Sequence, residues 1–216
     1  MHHSGTEKRR LNIYENRLRR QLICVGCGIC ASICPHNAIS MGYSKLKQFI
    51  PTVENILCTN CGLCLFYCPV EINQLKELTH YINGLEDSLA YGLENRQYFV
   101  SYDTDQEGHQ KSASGGTVTA ILQQLLRSGK IDTAIHAEAV LNQSGEPHFQ
   151  ICVSRSESEC GKRRGSFYAP LCYHQVLEKY RGKSSSLAVT GVPCVIRGLR
   201  RLFSNHPEYK NNRVLF

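Results

Sequence analysis

The second half of the chain switches between two hydrophobic periods. In "TVTAILQQLLRSGK", residues 117–130, Val118, Ile121, Leu122, Leu125 and Leu126 fall on one face of a 3.6-residue repeat, which predicts an amphipathic helix. Gly129 follows as its C-terminal cap. On either side the pattern changes to short apolar or alternating runs, which predict strands: "RQYFVSYD" (96–103), "IDTAIHAEAV" (131–140), "HFQICVSR" (148–155) and "SLAVTG" (186–191). Two more helices open on proline, at 170–180 and 193–203. "RVLF" closes the chain in a strand pattern, so the fold is expected to continue beyond Phe216. Alternating strands and helices predict an α/β domain over residues 99–216.

Residues 77–98 are polar and helical in pattern and read as a connector. Before them no comparable alternation appears. Length agrees with two units, since the chain has 216 residues and a domain takes about 150. The first unit is expected over residues 21–76, preceded by a basic helix over 1–20.

What fills residues 21–76 is chemistry. "CVGCGICASICP" (24–35) and "CTNCGLCLFYCP" (58–69) repeat the spacing C-x2-C-x2-C-x3-C-P gap for gap. The chain has 12 cysteines and starts without an apolar signal segment. No run reaches the roughly 18 apolar residues of a membrane span. A cytoplasmic, reducing location is therefore expected, where structural disulfides are rare. Zinc usually takes two separated pairs of ligands, not four thiols in one run. Three cysteines plus one, closed by proline, is the ligand pattern of bacterial two-cluster ferredoxins.

In that pattern three thiolates wrap one corner of a cubane, and the fourth cysteine starts a helical segment leading to the neighbouring cluster. Cys24, Cys27, Cys30 and Cys68 are thus expected to hold one [4Fe-4S] cluster, and Cys58, Cys61, Cys64 and Cys34 the other. Gly26, Gly28 and Gly62 let backbone N–H groups approach the sulfurs. Ile29, Ile33, Ile39, Leu63, Leu65 and Phe66 are expected to form a dry shell.

Charge adds little. The formal net charge is +7, with a basic run at Lys8, Arg9, Arg10, Arg17, Arg19 and Arg20. No zinc-finger, RNP-like or helix-turn-helix signature accompanies it, so no nucleic-acid partner is expected. A solvated basic helix, or a docking face for an acidic redox protein, fits better.

Two junctions in the α/β half have the composition of a site. "KSASGGTVTAIL" (111–122) leads small and hydroxyl residues into a helix N-terminus, where backbone N–H groups favour an anion. In "TGVPCVIRGL" (190–199) Cys194 falls in the first turn of a helix, where a thiol ionises more easily; a buried, inert cysteine is the alternative.

"SASGGTVTAIL", "GKIDTAI", "RRGSFYAP" and "VTGVPCVIRGL", in that order behind a two-cluster ferredoxin, resemble the coenzyme F-420 hydrogenase/dehydrogenase beta-subunit family. The resemblance implies an α+β ferredoxin domain with two [4Fe-4S] clusters, followed by a partial α/β flavin-binding domain. It implies FAD exchanging a hydride with coenzyme F-420 or a similar small-molecule donor or acceptor, and a redox protein partner. By motif, Ser114, Gly115, Gly116 and Thr117 would line the flavin, Gly165, Ser166 and Tyr168 would share its pocket, and Gly191, Pro193 and Cys194 would flank it. Family members run longer, and Val195 stands where a glutamine commonly follows the Pro-Cys pair. A non-catalytic electron-transfer module with an inert α/β appendage is the competing expectation.

Overall fold

The computed structural model of the chain describes residues 24–70, 99–141 and 144–216. The basic segment 1–20 and the connector 77–98 lie outside the described residues.

Each cysteine run folds the same way. A left-handed glycine, Gly28 at φ 79° or Gly62 at φ 77°, opens one helical turn: α1 (Ile29–Ser32) or α2 (Leu63–Phe66). The third cysteine of each run lies on that turn and the fourth follows it. The expectation that the fourth starts a helix is corrected at Cys34. Pro35 has no N–H to continue the helix, and Asn37, at φ 50°, turns the chain into β1. β1 (Ile39–Tyr43) pairs antiparallel with β2 (Phe49–Val53), Ile39 opposite Val53.

The α/β half builds a four-stranded sheet in the order β4-β3-β5-β6. β3 (Thr133–Leu141) runs antiparallel to β4 (Pro147–Ser154) and parallel to β5 (Ser186–Val189), which is parallel to β6 (Arg213–Leu215). Among the described residues five α-helices complete it: α3 (Gln106–Gln110), α4 (Thr117–Arg127), α5 (Glu157–Lys162), α6 (His174–Glu178) and α7 (Pro193–Asn205). Strand alternation divides the core between the two faces. Ala134 and Ala188 pack with Leu122, Ile131 and Cys160 on the α4 side. Ile135, Leu187 and Val189 pack with α7 on the other.

That second core does not stop at the α/β half. It includes Cys27, Ile29, Ile33 and Tyr67 together with Leu199, Leu202 and Tyr209. Ile29, Ile33, Leu199 and Leu202 are fully buried, each a gain of about 1.5–3 kcal/mol. The cluster-bearing part is thus docked on one face of the sheet through α6 and α7. Arg197 and Arg201 of α7 donate to the carbonyls of Pro69 and Phe66. Gly198 is the contact point: a Cβ there would lie 2.7 Å from Ile29 Cδ1 and 3.2 Å from Pro69 Cβ. We expect Gly198→Val to destabilise the folded chain by about 1–3 kcal/mol through overpacking. A denaturation midpoint equal to wild type would contradict this.

Two predicted elements and one predicted shell residue differ. Residues 99–103 form no strand; Asp103 N–H donates to Gly115 O at 2.7 Å instead of to a sheet neighbour. The helix expected over 170–180 is confined to α6, because Tyr173 N–H is taken by Cys27 O at 2.9 Å. Phe66, expected in the dry shell, is 54% exposed under the Arg201 guanidinium. Gly129 follows the C-cap Ser128 at φ 65° and donates to Leu126 O, as a helix-ending glycine should. Among the described residues no helix is long and apolar enough to cross a membrane.

Candidate functional site

The eight cysteines of the two runs separate into two cavities. One is lined by Cys24, Cys27, Cys30 and Cys68, with Met41, Pro51 and Pro69. The other is lined by Cys34, Cys58, Cys61 and Cys64, with Ile39 and Val53. Each cavity therefore draws three thiols from one run and the fourth from the other, which is the crossed arrangement of a two-cluster ferredoxin. None of the 12 cysteines is in a disulfide. Among the described residues no three His, Cys, Asp or Glu side chains converge on one ion-sized point. A cubane spaces its thiolates more widely, since each iron takes one.

Thiol acidity fits the same reading. Burial, aided by the neighbouring Cys68, Cys24 and Cys172 and opposed by the Ile29 N–H, pushes the Cys27 thiol up to about 12. Burial also pushes Cys30 well above the usual thiol range, with Cys27, Cys68, Cys24 and Cys64 adding to it. Thiols this crowded cannot ionise together without a compensating cation, and a bound cluster supplies that charge. The two sites differ in exposure. Each site has one buried thiol, Cys27 or Cys34, and the others are half-buried except Cys61 of the second site, which is exposed.

Beside the first cluster cavity lies a larger one of about 400 Å³, within the size range of small-ligand sites. Val25 lines both. The large cavity gathers the junctions singled out from sequence: Ser114, Gly116 and Thr117 from one side, Gly165 and Ser166 from another, Gly191 from a third. Hydroxyls of Ser112, Ser114, Thr117 and Thr119 form a polar wall, and Leu122, Phe167, Leu171 and Val195 an apolar one. Ser114 (φ 52°), Gly115 (φ 76°) and Gly116 (φ 81°) are left-handed in succession, a costly conformation for the serine.

Other expected site residues fall outside the lining. Gly115 packs against Tyr102, 3.2 Å from its Cβ when given a Cβ of its own. Tyr168 is fully exposed. Pro193 opens α7, and Cys194 is half-buried against the shared core.

Residues that the motifs did not name hold the cavity together. The Arg164 guanidinium donates to Asp103 Oδ2 (3.0 Å), Ser112 Oγ (3.0 Å), Gln123 Oε1 (3.2 Å) and Gly161 O (2.9 Å). Arg164 beside Asp103, with the Asp105 N–H, holds that carboxyl below its usual range. This part-buried ion pair thus fastens the left-handed loop to α4 and α5. Tyr173 is the second such residue. Its ring lines the cavity, its O–H donates to Thr190 O at 2.8 Å, and its N–H holds Cys27 O in the first cluster loop.

His136 lines the cavity floor. Nδ1 bonds Ala137 O at 3.2 Å, so Nδ1 carries the proton and Nε2 accepts the Ser154 O–H at 2.9 Å. Arg163 donates to Ser154 Oγ at 3.0 Å and pairs with Glu138. Burial lowers the His136 pKa, with the Arg163 charge adding to it and the Ala137 and Glu138 interactions opposing it. His206 is lowered by burial too. Unfolded histidine titrates near about 6.5. The unfolded chain therefore takes up protons first, and stability is full above that pH and is lost as pH falls below it. We expect the melting temperature to drop as pH falls below about 6.5, less steeply in His136→Gln. Parallel pH profiles for the two proteins would contradict a role for His136.

Of the remaining cysteines, Cys152 is pushed up to about 12 and Cys160 to about 11, both mainly by burial; such thiols are inert. Cys172 is raised by burial and by Cys24, against the His174 N–H.

Comparison with known proteins agrees with this division. Residues 23–72 match the 4Fe-4S dicluster domain model. Residues 98–178 match the model for the coenzyme F420 hydrogenase/dehydrogenase beta subunit N-terminal domain. Residues 23–72 are thus similar to a 4Fe-4S dicluster domain, and residues 98–178 to the N-terminal domain of this beta-subunit family. No curated protein sequence matches the chain. Among solved structures, a chain of the F420-reducing [NiFe] hydrogenase complex from Methanosarcina barkeri aligns at 23% identity and TM-score 0.43, covering 53% of this chain. The present chain spans 40% of that chain's length.

Proposed function

We propose that this beta-subunit-family chain is an iron–sulfur flavoprotein oxidoreductase whose large cavity takes FAD. The observation that carries the reading is the shared wall: Val25 borders both the cavity and the first cluster site. When bound, FAD would exchange a hydride with coenzyme F-420 or another small organic partner and single electrons with a cluster.

The chain's own residues divide the binding work. The Ser112, Ser114 and Thr117 hydroxyls and the first N–H groups of α4, an 11-residue helix, suit phosphate oxygens. Leu122, Phe167, Leu171 and Val195 suit the faces of a ring system and exclude water from it. Tyr173 fixes the distance between cavity and first cluster, because it bonds to both walls. His136, held neutral, adds no charge beneath the ligand. The second cluster site, with Cys61 exposed, is the exit toward a redox protein partner.

The test is anaerobic reconstitution of the full chain with iron, sulfide and FAD, followed by a hydride donor. Near-stoichiometric FAD and reduction of a cluster through it support the reading. A chain that carries both clusters, binds no FAD and reduces only with one-electron donors overturns it and leaves a simple electron-transfer module.

A further inference from the structure

The lining of the large cavity carries almost no charge. Among the described residues that line it there is no Asp, Glu or Lys, and Arg163 is the one permanently charged side chain. His136, the other titratable base there, is kept from charging by burial. Arg163 ends α5 as its C-cap, and its guanidinium is fixed at three points. Nε pairs with Glu138 Oε2 at 2.8 Å. Nη1 donates to Val153 O at 2.7 Å and to Ser154 Oγ at 3.0 Å. The Ser154 hydroxyl gives its own proton to His136 Nε2, so its oxygen is set to accept from Arg163.

These bonds leave one edge of the guanidinium over. Arginine has five N–H donors, and Nη2 makes no hydrogen bond to the protein among the described residues. The Arg163 side chain keeps 31% of its surface exposed against 13% for Glu138, so the ion pair is open on the side of the cation. The cation also lies apart from the α4 end. The groups suited to phosphate come from residues 112–117, whereas Arg163 is tied to β3 and β4.

We propose that Arg163 binds the negative charge that a flavin in the large cavity takes up on reduction, and so raises the potential of that flavin. This role rests on the reading that FAD occupies the cavity. A hydride brings two electrons and one proton to a neutral ring, which therefore gains one negative charge while the donor is oxidised. The same charge leaves when the two electrons pass singly to a cluster and the proton is released. A fixed cation favours the charged, reduced form over the neutral, oxidised one. A cation bound to phosphate would not, because the phosphates have the same charge in both forms and a ligand contact shifts an equilibrium only by its differential affinity. Glu138, paired with the same guanidinium, tempers the effect.

The experiment is an anaerobic redox titration of the full chain loaded with both clusters and FAD, with the flavin followed by absorbance and the clusters by EPR. In Arg163→Met we expect the flavin equilibrium to move about tenfold toward the oxidised form, a two-electron midpoint about 30 mV lower. In Glu138→Gln, which keeps the cation and removes its counter-charge, the flavin midpoint should rise above wild type. Opposite shifts of this kind are not expected of a residue that only holds the fold. Wild-type protein that binds no FAD overturns the inference together with the reading it rests on. FAD bound at an unchanged midpoint in Arg163→Met overturns the inference alone. If Arg163→Met does not fold or does not bind FAD, Glu138→Gln decides: a midpoint at or below wild type overturns the role of Arg163.

Discussion

Replacing Cys34 with serine is expected to remove the cluster held by Cys58, Cys61 and Cys64 and to leave the cluster beside Cys24 in place. In sequence Cys34 belongs to the first run. In space it lines the second cavity. Its sulfur accepts the Ala38 N–H at 3.2 Å, which anchors it at the entry to β1. With one of four thiolates gone, that site is incomplete, and about half of the iron and sulfide should be lost. The converse holds for Cys68→Ser, which should empty the first site. Iron analysis with EPR of the two variants checks both. Loss of the Cys24 signal in Cys34→Ser would show the cavities to be mis-assigned.

Gly116→Val should abolish FAD binding while both clusters remain. Gly116 adopts φ 81°, where a β-branched residue is strained by about 1–2 kcal/mol. Its Cβ would also meet Ser112 Oγ at 2.9 Å and Asp103 Cβ at 3.1 Å, inside the network that Arg164 ties together. The loop must then shift, and it carries the hydroxyls and the α4 N-terminus that face the ligand. Arg164→Met should weaken FAD about tenfold by the same route, since it removes the guanidinium that ties Asp103, Ser112 and Gln123 together. Flavin fluorescence titration on cluster-loaded protein measures both. FAD retained at wild-type affinity in Gly116→Val would refute the placement of the cofactor at this loop.

Much of this was legible in the sequence because the chemistry is periodic. Two identical cysteine spacings predict both ligand sets, and each predicted set of four lines one cavity. Helices and strands with a clear 3.6- or 2-residue period, α4, β3 and β4 among them, formed where expected. Elements failed where a distant partner took the backbone. Tyr173 gives its N–H to Cys27, so the helix expected from Pro170 shortens to His174–Glu178. Asp103 turns toward Gly115 and Arg164, so no strand forms there. α5 escaped notice although Ser156 and Glu159 spell a capping box: Ser156 Oγ accepts from Glu159 N–H and Glu159 accepts from Arg155 N–H.

The cavity was legible only as separate motifs. Ser114, Gly116, Gly165, Ser166 and Gly191 converge on it, but their neighbours Gly115, Tyr168 and Pro193 do not, because adjacent residues point to different sides of a turn. Arg164 and Asp103 are 61 residues apart, and no local pattern announces a salt bridge across that distance.

The central claim is that electrons pass between the large cavity and the first cluster, not the second. The most direct measurement is rapid-freeze EPR of FAD-loaded Cys34→Ser protein, which keeps only the first cluster, after mixing with a hydride donor. The account predicts that this cluster reduces at the wild-type rate. Absence of reduction, with the flavin bound and itself reduced, would contradict it.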